Sequence, residues 1–274
     1  MVGEIKRAVC NELFGEISFE ESCDLLATQG FHGVELAPFT LFDKDDRIGP
    51  QMQARVKRTL QNTGLEYAGI HWLLAKPEGL HITTPDAGKR KKAREHILHL
   101  LDVSGELGGG GLILGSPKQR AAEGIDPERA IGYLEEELDI IGNHAQRCGS
   151  KLLMESLPSA HTDVINTLEE VQKLLLVLDN PGLSGMFDFH NCVDEKLEWA
   201  ELIHRYAPII EHVHLNTWEG EYPGPEQSGE YEDSFRALSE IDYEGWISLE
   251  VFTVYPQPQT LLQQTIAFLD RVMS

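Results

Sequence analysis

The sequence predicts a (β/α)8 barrel, an α/β fold of TIM type. Three observations predict it. Short β-prone runs alternate with longer helical patterns eight times. Divided by eight, the 274 residues give about 34 per unit, the size of one βαβ step. No linker rich in glycine, serine or proline interrupts the chain, so residues 1–274 read as one barrel domain.

The elements follow in order. The predicted strands are Ile5–Cys10, Gly33–Leu36, Glu66–His71, Gly111–Leu114, Lys151–Glu155, Ser184–Phe187, Ile209–Leu215 and Gly245–Glu250. The helix over Ser18–Gln29 opens with Ser18 and has Glu21 three residues on, the pattern of a capping box. Pro50–Asn62 starts on a proline and stops at Gly64. Asp86–Leu107 follows, then Asp126–Cys148, with Pro127 in its first turn and Gly149 after its end. Thr167–Leu178, Glu195–Tyr206, Tyr231–Ile241 and Pro258–Val272 complete the helices. An open Rossmann-like sheet is the competing fold. It is weakened because the glycine run Gly108–Gly111 precedes a strand and lacks the GxGxxG spacing that leads into a helix.

Charge narrows the partners. There are 45 Asp+Glu against 23 Lys+Arg, a formal net charge of -22. A surface this negative repels phosphate backbones and anionic lipids, so neither nucleic acid nor membrane is an expected partner. No apolar stretch approaches the ~18 residues of a membrane span. Met1 to Cys10 has no apolar run of signal-peptide length. Cys10, Cys23, Cys148 and Cys192 have no metal-ligand spacing, and thiols without an export signal suggest a reducing cytoplasm.

The chemistry sits at the ends of the last four strands, which read LLMES, GMFDFH, EHVHLN and ISLEVF. Each apolar run ends on an ionisable residue: Glu155, Asp188, His214 and Glu250. The separations are 33, 26 and 36 residues, one βα unit each time. A barrel sets such residues side by side on its carboxyl rim. Three clustered carboxylates repel one another unless a cation neutralises them. One imidazole with three carboxylates suits Mn²⁺, Mg²⁺ or Co²⁺ better than a structural zinc site. For any one acid alone, a helix cap or a solvated loop is the commoner explanation. The joint pattern over four successive strands is what points to a metal.

The phrases LLMES, MFDFHN, HVHLN and GWISLEVF resemble the four metal-binding strand ends of the xylose isomerase-like superfamily of sugar isomerases and epimerases. The resemblance covers essentially the whole chain and is strongest from Lys151 to Phe252. It implies that Glu155, Asp188, His214 and Glu250 hold one divalent metal, Mn²⁺ foremost. In the ketose 3-epimerase branch, the glutamates matching Glu155 and Glu250 also form the acid/base pair. That implies proton abstraction beside a ketone, a metal-stabilised cis-enediolate, and proton return on the opposite face. It also implies a homo-dimer or tetramer.

Further candidates lie near the same rim. His71 and Trp72, after the third strand, could wall a sugar face; a core aromatic and a hydrogen-bonded histidine are the plainer reading. Lys118 and Arg120, in GSPKQR, could hold a substrate phosphate or carboxylate, or simply be solvated. His190 could touch substrate. Glu35, Asn191 and His212 are expected one layer behind the metal ligands. Departures from the epimerase branch concern substrate contacts. His161 stands where that branch has a substrate-contacting glutamate, and the loop Thr217–Gly224 carries acids and no arginine. The histidine expected three residues after the metal aspartate is Asn191 here, with His190 one position short.

The lead expectation is therefore a metal-dependent isomerase or epimerase of sugars or sugar phosphates. A dehydratase or lyase acting on a keto-sugar, inosose or 3-keto-glycoside would use the same residues and end in loss of a β-leaving group. A non-catalytic sugar-binding barrel is the reading from a different class. Apurinic-site endonucleases share the fold, but the acidic charge and the lack of a three-zinc ligand set argue against a nuclease. The run Lys89, Arg90, Lys91, Lys92 and Arg94 opposes a helix dipole and is expected on a solvated face or an interface.

Overall fold

A computed structural model of the chain describes residues 5–43 and 45–274. Residues 1–4, the start of the segment read above as lacking an export signal, lie outside the described residues. The strands are β1 (Lys6–Cys10), β2 (Gly33–Leu36), β3 (Glu66–Ile70), β4 (Gly111–Leu114), β5 (Lys151–Met154), β6 (Leu183–Asp188), β7 (Ile210–Leu215) and β8 (Trp246–Leu249). They pair in chain order and close into a barrel. Every pair is parallel, including β1 with β8. Eight α-helices alternate with them: α1 (Phe19–Gln29), α2 (Pro50–Thr63), α3 (Ala87–Leu107), α4 (Pro127–Arg147), α5 (Leu168–Leu178), α6 (Trp199–Tyr206), α7 (Ser228–Glu240) and α8 (Gln259–Val272). This is the (β/α)8 barrel that the alternation predicts.

Local chemistry explains the boundaries. Ser18 accepts a hydrogen bond from the Glu21 amide, the serine half of the expected box. The complete reciprocal box is at Thr167 and Glu170 instead. Gly64 and Gly108 end α2 and α3 in the left-handed region, where a side chain would be strained. α6 starts at Trp199, four residues later than expected. Asp188 Oδ1 accepts from the amides of His190 and Asn191, which turns His190–Asp194 into a 3-10 helix before α6 can begin.

The basic start of α3 is partnered rather than simply solvated. The Asp86 side chain caps the helix by accepting from Gly88 and Lys89 amides. Arg90 Nε and an Arg94 guanidinium nitrogen reach Glu137 on α4 at 3.3 and 2.6 Å. The Arg90 guanidinium also sits 4.1 Å from the centre of the Tyr133 ring. These contacts offset the cost of cations at a helix N-terminus.

A large apolar core fills the space between barrel and helices, and Ile113, Leu153 and Met186 form a separate buried cluster on β4, β5 and β6. Register then sets the functional rim. Asp188 lies directly beside His214, and His214 beside Ser248. The pairing slips between Gly185 and Phe187, an irregularity of the kind that re-aims a side chain next to a site. Among the described residues, no helix is long and apolar enough to cross a membrane.

Candidate metal centre

Glu155 and Glu250 are the first residues past β5 and β8, Asp188 ends β6, and His214 lies one residue before the end of β7. Four different strands thus deliver four donors to one rim. One ligand atom from each lies within 4.8 Å of the others, and all four residues are buried. His214 Nδ1 is 3.1 Å from Glu250 Oε2, 3.6 Å from Asp188 Oδ2 and 3.8 Å from Glu155 Oε1. His214 Nδ1 and Asp188 Oδ2 are buried without a hydrogen-bond partner.

Those two unpartnered atoms test whether a metal fits. A buried polar atom without a partner costs free energy, and a shared cation would satisfy both. The electrostatics agree. Burial, and then the neighbouring Asp188 and Glu250 carboxylates, push the Glu155 carboxyl well above its usual range. Burial raises Glu250 too, against the opposing charge of His214. Burial works the same way on Asp188, but the nearby His214 imidazole outweighs it and holds the carboxyl low. Three clustered buried acids resist full ionisation, a cost that a divalent ion would offset. The donors present, three carboxylates and one imidazole, fit such an ion.

A second layer holds the donors. His214 Nε2 is 3.0 Å from Glu35 Oε1. Glu35 is fully buried at the end of the barrel interior, with His212 Nε2 2.7 Å from its Oε2 and His71 Nδ1 3.2 Å from its Oε1. Burial opposes a charge on Glu35, yet His212 and His214 hold its carboxyl well below the usual range. Asn191 Nδ2 donates to Glu155 Oε1 at 2.9 Å. Glu35 thus contacts His214, His212 contacts Glu35, and Asn191 contacts Glu155.

Above the donors opens a cavity of about 890 Å³. Glu155, Glu250, His71, Trp72, Lys118, His161, His190 and Asn191 all line it. His190 Nδ1 donates to the Trp218 carbonyl at 2.8 Å, and its ring stands edge-on to Phe252 at 5.0 Å. His161 stacks towards His190 at 6.5 Å between ring centres.

One expected contact is corrected. Arg120 does not line the cavity; it is fully buried, with its guanidinium on Met154 Sδ and the Ile165 carbonyl. Lys118 lies within the 3-10 turn Pro117–Gln119 and is exposed, while Arg120 follows the turn and is buried. Burial lowers the Arg120 pKa to about 10, and the negative charge of Glu155 partly restores it. Its charge thus acts on Glu155 from behind instead of meeting substrate.

Sequence reasoning also missed Glu12. It lines the cavity, and its Oε1 lies 2.8 Å from His71 Nε2 and accepts from Trp72 Nε1 at 3.3 Å. The available signal was its position two residues past β1, at the same carboxyl rim.

Together these features give a barrel with a buried cluster of three carboxylates and one histidine at the carboxyl ends of its strands. Residues 23–272 match the Xylose isomerase-like TIM barrel family, and the chain belongs to that family. It is 22% identical over 216 residues to the 3-dehydro-D-guloside 4-epimerase of Escherichia coli (strain K12), covering 71% of this chain and 80% of that one. It is 24% identical over 273 residues to the inosose dehydratase of Clostridium botulinum (strain Eklund 17B / Type B), covering 87% and 84%. In fold it is similar to the D-allulose 3-epimerase of Methylomonas sp. in complex with D-allulose. That likeness has a TM-score of 0.83 and 18% identity over 98% of this chain and 97% of that one.

Proposed function

We propose that the chain is a divalent-metal-dependent isomerase or epimerase of a sugar or sugar phosphate. One observation carries the reading: Glu155 and Glu250 converge with Asp188 and His214 on one side of a cavity large enough for a sugar. Similarity to a sugar epimerase supports it. Glu155, Asp188, His214 and Glu250 would hold the ion, with Mn²⁺ first and Mg²⁺ or Co²⁺ as alternatives. When bound, the ion would polarise a ketone and its neighbouring hydroxyl and so acidify the C–H of the hydroxyl-bearing carbon.

The protein's own groups do the rest. One glutamate breaks the C–H bond by taking the proton, and the electron pair moves onto the ketone oxygen to give an enediolate. The other glutamate delivers a proton to the opposite face, re-forming the C–H bond with inverted configuration. A positioned carboxylate of this kind contributes about 10²–10⁴-fold. Asn191 orients Glu155 through its amide N–H, and Glu35 orients His214. His71, Trp72, His161 and His190 bind the sugar; Lys118 is the remaining cation of the original basic pair on the cavity wall. A homo-dimer or tetramer in a cytoplasmic setting belongs to the same reading, with no nucleic-acid or membrane partner.

A second reading has specific support. Similarity to an inosose dehydratase, with His161 and His190 both lining the cavity, favours an enediolate that expels a β-hydroxyl with a histidine as the acid. The test has two parts. Calorimetry of chelator-treated protein should show one Mn²⁺ per chain. A Mn²⁺-supplemented screen of ketoses, ketose phosphates and keto-glycosides should then give an epimer; an unsaturated product would favour the dehydratase. No bound metal and no activation by Mn²⁺, Co²⁺ or Mg²⁺ would favour a non-catalytic barrel.

A further inference from the structure

A second group of donors lies away from the cavity, where α3 and α4 end. Those helices run out at Leu107 and Arg147, just before β4 and β5 begin. Their last turns therefore sit at the amino ends of the strands, on the face opposite the carboxyl rim. Asp102 on α3 meets His144 and Cys148 at the end of α4, with one ligand atom from each within 4.8 Å of the others.

The three side chains already point at one place. His144 Nε2 is 2.6 Å from Asp102 Oδ1, and the Cys148 thiol donates to the same oxygen at 3.7 Å. Two hydrogens thus converge on one carboxylate oxygen. His144 and Cys148 are four residues apart, which sets both on one face of the helix end. The cysteines have no ligand spacing with one another; here the spacing joins a histidine to a cysteine, and the third donor comes from the neighbouring helix.

Packing holds the two helix ends together. Gly105 follows Asp102 by three residues on α3. A Cβ there would stand 3.1 Å from the Cys148 carbonyl oxygen and 3.2 Å from the Cys148 Cβ. Glycine weakens a helix interior, but at this position it lets the end of α4 close against α3. Nearer the other end of the pair, Glu137 on α4 binds Arg90 and Arg94 on α3. The donors are thus carried by rigid elements rather than by loops.

Donor chemistry selects the ion. A thiolate, an imidazole and a carboxylate make a mixed set that suits Zn²⁺, unlike the oxygen-rich set at the rim. Tetrahedral zinc spaces such donors by about 3.3–3.6 Å. The sulfur–oxygen distance is close to that, and the His144–Asp102 contact needs to open by less than about 1 Å. The Asp102 and His144 side chains are 62% and 20% exposed, so the carboxylate has room to turn and solvent ions can enter. Arg147 donates to His144 Nδ1 at 3.0 Å and to the Asn143 carbonyl at 2.9 Å. Coordination through Nε2 gives up the first of these bonds and keeps the second.

We infer that Asp102, His144 and Cys148 form a zinc site that staples α3 to α4 on the amino face of the barrel, with solvent in the fourth position. Binding releases the Cys148 thiol proton to solvent and moves the His144 ring proton from Nε2 to Nδ1. The donors do not include Glu155, Asp188, His214 or Glu250, so the site stands apart from the reaction proposed for the rim.

Co²⁺ tests the site, because a thiolate ligand gives it an intense near-ultraviolet charge-transfer band that oxygen and nitrogen ligands do not. Titrated into chelator-treated full-length protein, Co²⁺ should raise that band, and added Zn²⁺ should remove it by displacement. Cys148→Ser should abolish the band, and Asp102→Asn and His144→Gln should each weaken its formation at least about 10–100-fold. All three side chains are at least partly exposed, so the fold has little reason to fail. Thermal melts give a second readout. At hundredfold excess over its Kd, Zn²⁺ should raise the melting temperature of the parent about 5 °C more than that of Cys148→Ser. That difference cancels any metal bound at the rim. Absence of the sulfur band, its survival in Cys148→Ser, or equal Zn²⁺ shifts in the two proteins would overturn the inference.

Discussion

Glu35 Oε1 stands 3.0 Å from His214 Nε2, on the opposite side of the imidazole from the cation pocket. The carboxylate takes the Nε2 side of the ring, and so turns Nδ1 towards Asp188 and Glu250. Glu35 itself is fully buried.

Glu35→Gln tests that support. A glutamine keeps the size but offers a donor where His212 or His214 needs an acceptor. Metal affinity should fall about 10–100-fold, read by Mn²⁺ calorimetry on chelator-treated protein. Stability should fall by about 1–3 kcal/mol in urea melts, the cost of one buried unsatisfied group. Unchanged metal affinity would show that the ring is oriented by other contacts.

Glu155→Gln and Glu250→Gln should each abolish turnover while the barrel survives. In the presence of chelator, Glu155→Gln should melt higher than the parent chain, because it removes one of three mutually repelling buried acids. A lower melting temperature in chelator would contradict the electrostatic account of the pocket.

Gly115 is the first residue after β4, and a Cβ there would collide with Glu155 Oε2. Gly115→Ala therefore pushes the carboxylate aside with no other clash. Displacing a catalytic group by about 1 Å costs about 10²-fold. We expect that loss in kcat, with stability within about 1 kcal/mol of the parent. Full activity would mean that the position of Glu155 is not critical.

Acid sensitivity should trace in part to His96, beside Phe42 and far from the cation pocket in sequence and contacts. Burial, aided by the charges of His99 and Arg47, lowers its pKa to about 4. The unfolded chain, with an ordinary histidine near 6.5, binds more protons between those values. Stability from neutral His96 is thus complete above about pH 6.5 and is lost as pH falls towards 4, by at most about 3 kcal/mol. His96→Gln should flatten that slope in urea melts at pH 7 and 4.5, and an unchanged slope would remove His96 from the cause.

Much of this was legible in the sequence because it depends on periodicity. All eight strands lie within a residue or two of their expected bounds, since buried parallel strands read as apolar runs closed by turn residues. The cluster at Glu155, Asp188, His214 and Glu250 was legible because barrel topology converts a separation of one βα unit into adjacency. Glu12 was not, because its role comes from meeting His71 and Trp72 across two strands, a contact without local spacing. Arg120 was misjudged for the opposite reason. Its charge suggests solvent, but a single 3-10 turn reverses its direction, and only tertiary packing on Met154 and Ile165 reveals it.

The central claim is that Glu155 and Glu250, beside one divalent ion, exchange a carbon-bound proton of a keto-sugar. Incubation with 3-keto-glucosides in D2O with Mn²⁺, followed by mass analysis of recovered sugar, reads that event directly. The account predicts one deuterium at the carbon next to the ketone, absent with chelator and in Glu155→Gln and Glu250→Gln. Equal deuterium uptake by the parent chain and both variants would contradict it.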